Sequence, residues 1–105
     1  MTHEEFEVVL EAQIQRLRDV LINKTAEYAT DDQLNNFRKT AHLRGCSMAQ
    51  AVSGMMVKHT VSIFDMVEGP NTFSEQTWDE KITDHIIYLI LLKAALLDEA
   101  KIIER

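Results

Sequence analysis

Residues Thr77–Leu92 read TWDEKITDHIIYLILL. The stretch is so apolar that, wound as a helix, most of its circumference is expected to be covered by protein. Glu80, Asp84 and Tyr88 nevertheless recur every four residues, with His85 beside them. That spacing stacks them on one helix face. A polar file in a buried helix is costly unless something pairs with it. The candidates are a metal ion, a basic side chain and a ligand.

Upstream, Glu68-Gly69-Pro70-Asn71 is the clearest break in the chain. Residues 72–76 follow as a loop or a ragged lead-in, and Thr77 with Glu80 has the form of a capping box opening a helix that runs towards Ile103. Before the break, Ser47 and Gln50 form a second such box. The helix it opens reaches about Val67, with Met48, Val52, Met55, Met56, Val61, Ile63, Phe64 and Met66 as its apolar content. A short helix over 33–43 buries Leu34, Phe37 and Ala41; Thr30, Asp31 and Asp32 supply its cap, and Gly45 a left-handed end. Residues 3 to about 24 form the first helix, on Phe6, Val9, Leu10, Ile14, Leu17, Val20 and Leu21, continuing through NKTAEYA.

The 105 residues suit one domain, 1–105. Three glycines and one proline leave too few turns for a β sandwich and favour an all-α fold. Four helices with short connections predict a four-helix antiparallel bundle. A last helix apolar nearly all round predicts a homodimer or larger oligomer, with Ile90, Leu91, Ala94 and Leu97 at the contact. The net charge of −6, without a basic cluster, argues against duplex nucleic acid as partner. Cys46 is the single cysteine, so no intrachain disulfide is expected and a reducing, cytoplasmic compartment is. The acidic MTHEEFE start is unlike a secretory leader. The longest apolar run, Ile86–Leu97, is interrupted by Lys93 and shorter than the ~20 residues of a membrane span.

Glu80 and Asp84 are the first chemical candidates, since carboxylates one turn apart suit a divalent cation such as Mg²⁺. Glu80 has a second reading as the capping partner of Thr77; Asp84, inside the helix among Ile82, Ile86 and Ile87, has none. On the third helix Lys58, Ser62 and Asp65 form another polar file, at i, i+4 and i+7. Lys58 and Asp65 either pair across the bundle or face a ligand. His59 is placed to meet Tyr88 or a phosphate. Lys24, Glu27 and Tyr28 mix a base, an acid and an aromatic ring, and a surface ion pair with a packed tyrosine explains them fully. Asn36 offers an amide for a base or sugar, beside a core Phe37. No histidine pair has zinc spacing, and there is no nucleophile turn or phosphate-binding glycine loop.

Taken in order, NKTAEYA, NF, MMVKHTVSIFDM and WDEKITDHIIYLILL resemble small phage-encoded all-α proteins with MazG-like or nucleotide-modification-associated domains. The resemblance covers about Asn23 to Leu92. It implies a nucleotide pyrophosphohydrolase-like fold whose acidic clusters hold Mg²⁺ and a nucleoside triphosphate. Carried over, Glu80 and Asp84 look like the acid-x-x-x-acid element of the last core helix, with catalytic and metal-binding roles. Lys58 and Asp65 fall on the helix facing it, and Lys24, Glu27 and Tyr28 match the lysine and acid–aromatic pair that closes the first helix. The family's Glu-x-x-Glu on the earlier core helix is absent; Lys58-His59 and Asp65 stand there instead. That departure argues against a two-metal site and leaves a single-metal or metal-free pocket.

Two functions follow as expectations. One is a nucleotide-binding protein, with or without hydrolysis. In it Glu80, Asp84, Glu27 and Asp65 hold Mg²⁺, Lys24 and Lys58 offset phosphate charge, His59 meets a phosphate, and Tyr28, Asn36 and Tyr88 contact the base. The other is a non-enzymatic helical interaction module, or a nucleotide sponge acting as a homo-oligomer.

Overall fold

The computed structural model describes the backbone of residues 1–23 and 32–104 and the side chains of residues 1–22 and 32–101. The expectations placed on Lys24, Glu27 and Tyr28, and the continuation of the first helix through the rest of NKTAEYA after Asn23, lie outside the described residues. Among those described, the fold is all-α, with four α-helices and no strand: α1 (His3–Arg18), α2 (Asn35–Arg44), α3 (Met48–Glu68) and α4 (Glu75–Glu104). The chain divides into two compact units, Met1–Asp31 and Asp32–Arg105. No helix among the described residues is long and apolar enough to cross a membrane.

In the first unit, Thr2 opens α1 through a reciprocal cap. Its hydroxyl accepts the Glu5 N–H at 3.1 Å, and its own N–H donates to the Glu5 carboxylate at 3.1 Å. The α-helical geometry ends at Arg18, and Asp19–Asn23 continue as a π-helical turn. The extra residue in such a turn re-phases the helix face, so the three- and four-residue steps read from the sequence do not run unbroken to residue 24.

The second unit is built on α3 and α4, which run antiparallel: Thr60 meets His85, and Ala49, near the start of α3, meets Glu99, near the end of α4. Ala51 and Ala95 are fully buried, and small side chains at such positions let two helix backbones approach closely. Helix α2 lies on α3 and adds Leu34, Phe37 and Ala41 to a core completed by Met48, Val52 and the two alanines. The stripe read from the sequence for α2 is therefore the one it buries. The expected bundle takes the form of this three-helix unit, with α1 in a unit of its own.

The caps explain where these helices stop and start. Asp32 accepts the Leu34 N–H at 3.0 Å in the turn ahead of α2, but the N-cap residue itself is Leu34, without a side-chain cap bond, so the cap expected there is not formed by Asp32; Thr30 and Asp31 lie outside the described residues. Gly45, at φ 65°, ends α2 with two bonds: its N–H donates to the His42 carbonyl, and the Cys46 N–H donates to the Ala41 carbonyl. This pairing needs a left-handed residue between, which glycine adopts without strain. Ser47 and Gln50 form the expected box on α3.

The cap expected at Thr77 is displaced. Ser74 accepts the Thr77 N–H at 3.1 Å, and α4 begins at Glu75, inside the stretch read as loop or lead-in. Both Ser74 and Thr77 fit the cap pattern, and the earlier one gains most of a further turn of helix. Glu80 therefore has no capping role; its carboxylate accepts a long 3.5 Å bond from Gln76.

The expectation that protein covers most of α4 is also corrected. Ile82, Leu89 and Leu96 are 39%, 49% and 54% exposed, and Asp84 is exposed as well. On α3, Val61 and Phe64, part of its apolar content, are exposed too. Leu89 and Leu96 stand level with Tyr88 and Asp98, which α2 meets, and are open because they lie on another side of α4. For Ile82, Val61 and Phe64 the reason is length: α2 spans ten residues against 21 in α3 and 30 in α4, so the far half of the hairpin has no third helix of this unit over it.

Candidate functional site

That far half of the hairpin holds an open groove of about 790 Å³ between α3 and α4. The volume is within the range of small-molecule sites. Its α3 wall carries Lys58, Ser62 and Asp65, the i, i+4, i+7 file, together with Val57, Val61 and Met66. The α4 wall supplies Thr77 and Lys81, and the connection between the helices closes one end with Asn71 and Phe73. The Phe73 ring is fixed edge-on against Trp78, with centroids 6.1 Å apart at 83°. One side of the groove is thus apolar, and two ammonium groups and one carboxylate share it with hydroxyls and an amide. Among the described residues, Lys58 and Lys81 make no ion pair.

Next along the hairpin, the His59 and Tyr88 rings stack at 4.6 Å and 32°, the meeting that the sequence suggested. Tyr88 in turn stands edge-on to Phe37 of α2, at 6.2 Å and 75°. His59 is held below the usual histidine range. Burial against the hairpin is the main cause; the nearby Asp84 carboxylate works against it, while Lys58, Lys81 and His85 reinforce it. An uncharged imidazole on a tyrosine ring is a flat, rigid surface beside the two lysines. His85 is tied down separately, its Nε2 hydrogen-bonded to the Thr60 hydroxyl at 2.9 Å.

The structure thus brings Lys58 and Asp65 into one groove and His59 and Tyr88 into one stack near it. Glu80 and Asp84 are exposed and do not line the groove; Asp84 lies near His59. Asn36 is exposed on α2, where its backbone carbonyl accepts the Thr40 hydroxyl at 2.8 Å. No group of three His, Cys, Asp or Glu among the described residues is arranged to hold a metal ion. Nor does any buried side-chain nitrogen or oxygen among them lack a hydrogen-bond partner.

Sequence reasoning passed over Lys81, Asn71 and Phe73. The signal for Lys81 was its spacing, one turn after Thr77 and two turns before Tyr88, hence on the α3-facing side of α4. Asn71 and Phe73 had no periodic signal, because they lie in the connection. No protein-family model matches the chain, and no curated protein or solved structure matches it either.

Proposed function

We propose that this chain binds a small phosphorylated ligand of the nucleotide class in the α3–α4 groove. The observation that carries the reading is the pair Lys58 and Lys81, two ammonium groups without an ion pair among the described residues, in one groove with an apolar aromatic wall. Two like charges in a shared groove repel each other, and in a chain of net charge −6 they form a local exception to the overall field. An anion relieves that repulsion, and phosphate is the anion that two lysines suit as point charges. The wall of Val61, Met66 and Phe73 accepts a planar apolar body, and Asn71, Ser62 and Thr77 supply hydrogen bonds to its edges or to a sugar. A nucleotide combines those two halves.

The resemblance to MazG-like proteins adds Mg²⁺ and pyrophosphohydrolysis to this reading, with Asp84 and Glu80 as catalytic carboxylates. Asp65 is the carboxylate in the groove. The lysine pair engages phosphate without a metal ion, and among the described residues no three carboxylate, imidazole or thiolate donors come together.

The test is a thermal-shift series with nucleoside mono-, di- and triphosphates, with and without Mg²⁺, on the native chain and on Lys58→Glu. A ligand that binds the folded state stabilises it by mass action, by about 2.7 kcal/mol at a hundred times its dissociation constant. The native chain is expected to gain melting temperature without Mg²⁺ and the variant to gain none. Equal shifts in both would remove the reading.

A second reading, a non-enzymatic interaction module acting as a homo-oligomer, is favoured by a different observation. Ile82, Leu89 and Leu96 recur every seven residues, and all three are exposed along one side of α4. A heptad stripe is what a second helix packs against. The two readings are compatible, because the stripe and the groove occupy different sides of α4.

A further inference from the structure

Gly54 lines the groove one helical turn before Lys58. A Cβ at this glycine would lie 3.2 Å from the Nη1 atom of Arg44. The Arg44 guanidinium, reaching over from the last turn of α2, thus rests on α3 at Gly54, at the rim of the groove. Arg44 is exposed and makes no ion pair among the described residues. Arg44, Lys58 and Lys81 therefore place three cations around a groove with one carboxylate, Asp65.

Resting on the nucleotide-class reading of the groove, we infer that Arg44 is a further ligand-binding residue and that the ligand carries a chain of two or three phosphates. Asp65 offsets one of the three cations, so the length of the ligand is read from spacing: Gly54, where Arg44 rests, lies one helical turn, roughly 5.4 Å, along α3 from Lys58. A single phosphate held between Lys58 and Lys81 leaves Arg44 unmatched, and a second or third phosphate reaches it. The guanidinium stands at the end of the groove away from Phe73, so the chain runs along α3 from Lys58 past Gly54 while the planar body stays on the aromatic wall. A guanidinium suits this end, because its fork binds two phosphate oxygens at once.

The experiment is calorimetric titration of the full chain, in Mg²⁺-free buffer, with inorganic tripolyphosphate, pyrophosphate and orthophosphate. Arg44→Gln is expected to weaken tripolyphosphate about tenfold, the loss of one charge-assisted contact, and to leave orthophosphate within about twofold. Lys58→Gln is expected to weaken all three. If Arg44→Gln weakens none of the three, or all three alike, while Lys58→Gln still weakens them, the role of Arg44 is overturned and the groove stands. If the native chain binds none, or Lys58→Gln changes nothing, the groove reading falls, and this inference with it.

Discussion

The imidazole of His59 lies against the phenol ring of Tyr88, centroids 4.6 Å apart, so that α3 and α4 are joined by a ring stack at the point where the polar groove gives way to the apolar core. The groups facing the stack are Asp84, Lys58, Lys81 and His85.

This stack carries a pH prediction. Because the folded state holds His59 below its ordinary 6.5, the unfolded chain takes up the proton first as pH falls. Above 6.5 the group makes no difference to stability; below it, stability falls until the folded-state value is passed. His59→Gln should therefore flatten the acid side of a plot of melting temperature against pH. Parallel profiles for variant and native chain would show that the ring is not held uncharged.

A carboxylate far along the chain caps α3. Glu99 accepts the Ala49 N–H at 2.7 Å, from α4 to the first turn of α3. It both satisfies a free donor and sets negative charge at a helix N-terminus. Glu99→Ala should cost about 1–2 kcal/mol in urea unfolding, and Glu99→Gln, which keeps an acceptor, less.

The start of α4 offers a sharper contrast. Ser74→Ala removes the side chain that caps the helix and is expected to cost about 1 kcal/mol. Thr77→Ala keeps that cap, losing the hydroxyl contact to Ser74 while gaining helix propensity, and should stay within about 0.5 kcal/mol of the native chain. Chemical denaturation that ranked the two the other way would restore Thr77 as the cap.

For the exposed side of α4, light scattering on a sizing column gives the readout. The heptad of Ile82, Leu89 and Leu96 predicts an assembly of at least two copies, and Leu89→Arg should reduce it to a monomer with its helical circular dichroism intact. A native chain that elutes at the mass of one copy would contradict the stripe as a self-association surface.

How far the sequence reaches can be seen from residue to residue. Leu34, Phe37 and Ala41 repeat at helical spacing and form the α2 face of the core, because a short helix with one apolar stripe has one way to bury it. The Ser47–Gln50 box and Gly45 were legible for a similar reason, since local hydrogen bonding decides each. Burial on α4 was not. The spacing of Ile82 and Leu89 states that a face is apolar, while its cover depends on where α2 lies: its ten residues do not extend over Ile82, and at Phe37 they meet α4 on the Tyr88 side, which leaves Leu89 open. The site divides in the same way. Lys58, Ser62 and Asp65 could be read as a file on one helix, but their partners Lys81, Asn71 and Phe73 reach them only through the turn between α3 and α4. Arg44 was invisible, because it meets Gly54 only through the packing of α2 on α3.

Amide chemical-shift mapping tests the central claim most directly. Titrating a nucleoside triphosphate into the isotope-labelled chain should move the amides of Gly54, Lys58, Ser62, Asp65, Asn71, Phe73 and Lys81 together, in a saturable manner. Saturable shifts elsewhere that leave those residues unmoved, or no shifts at millimolar ligand, would contradict a nucleotide site between α3 and α4.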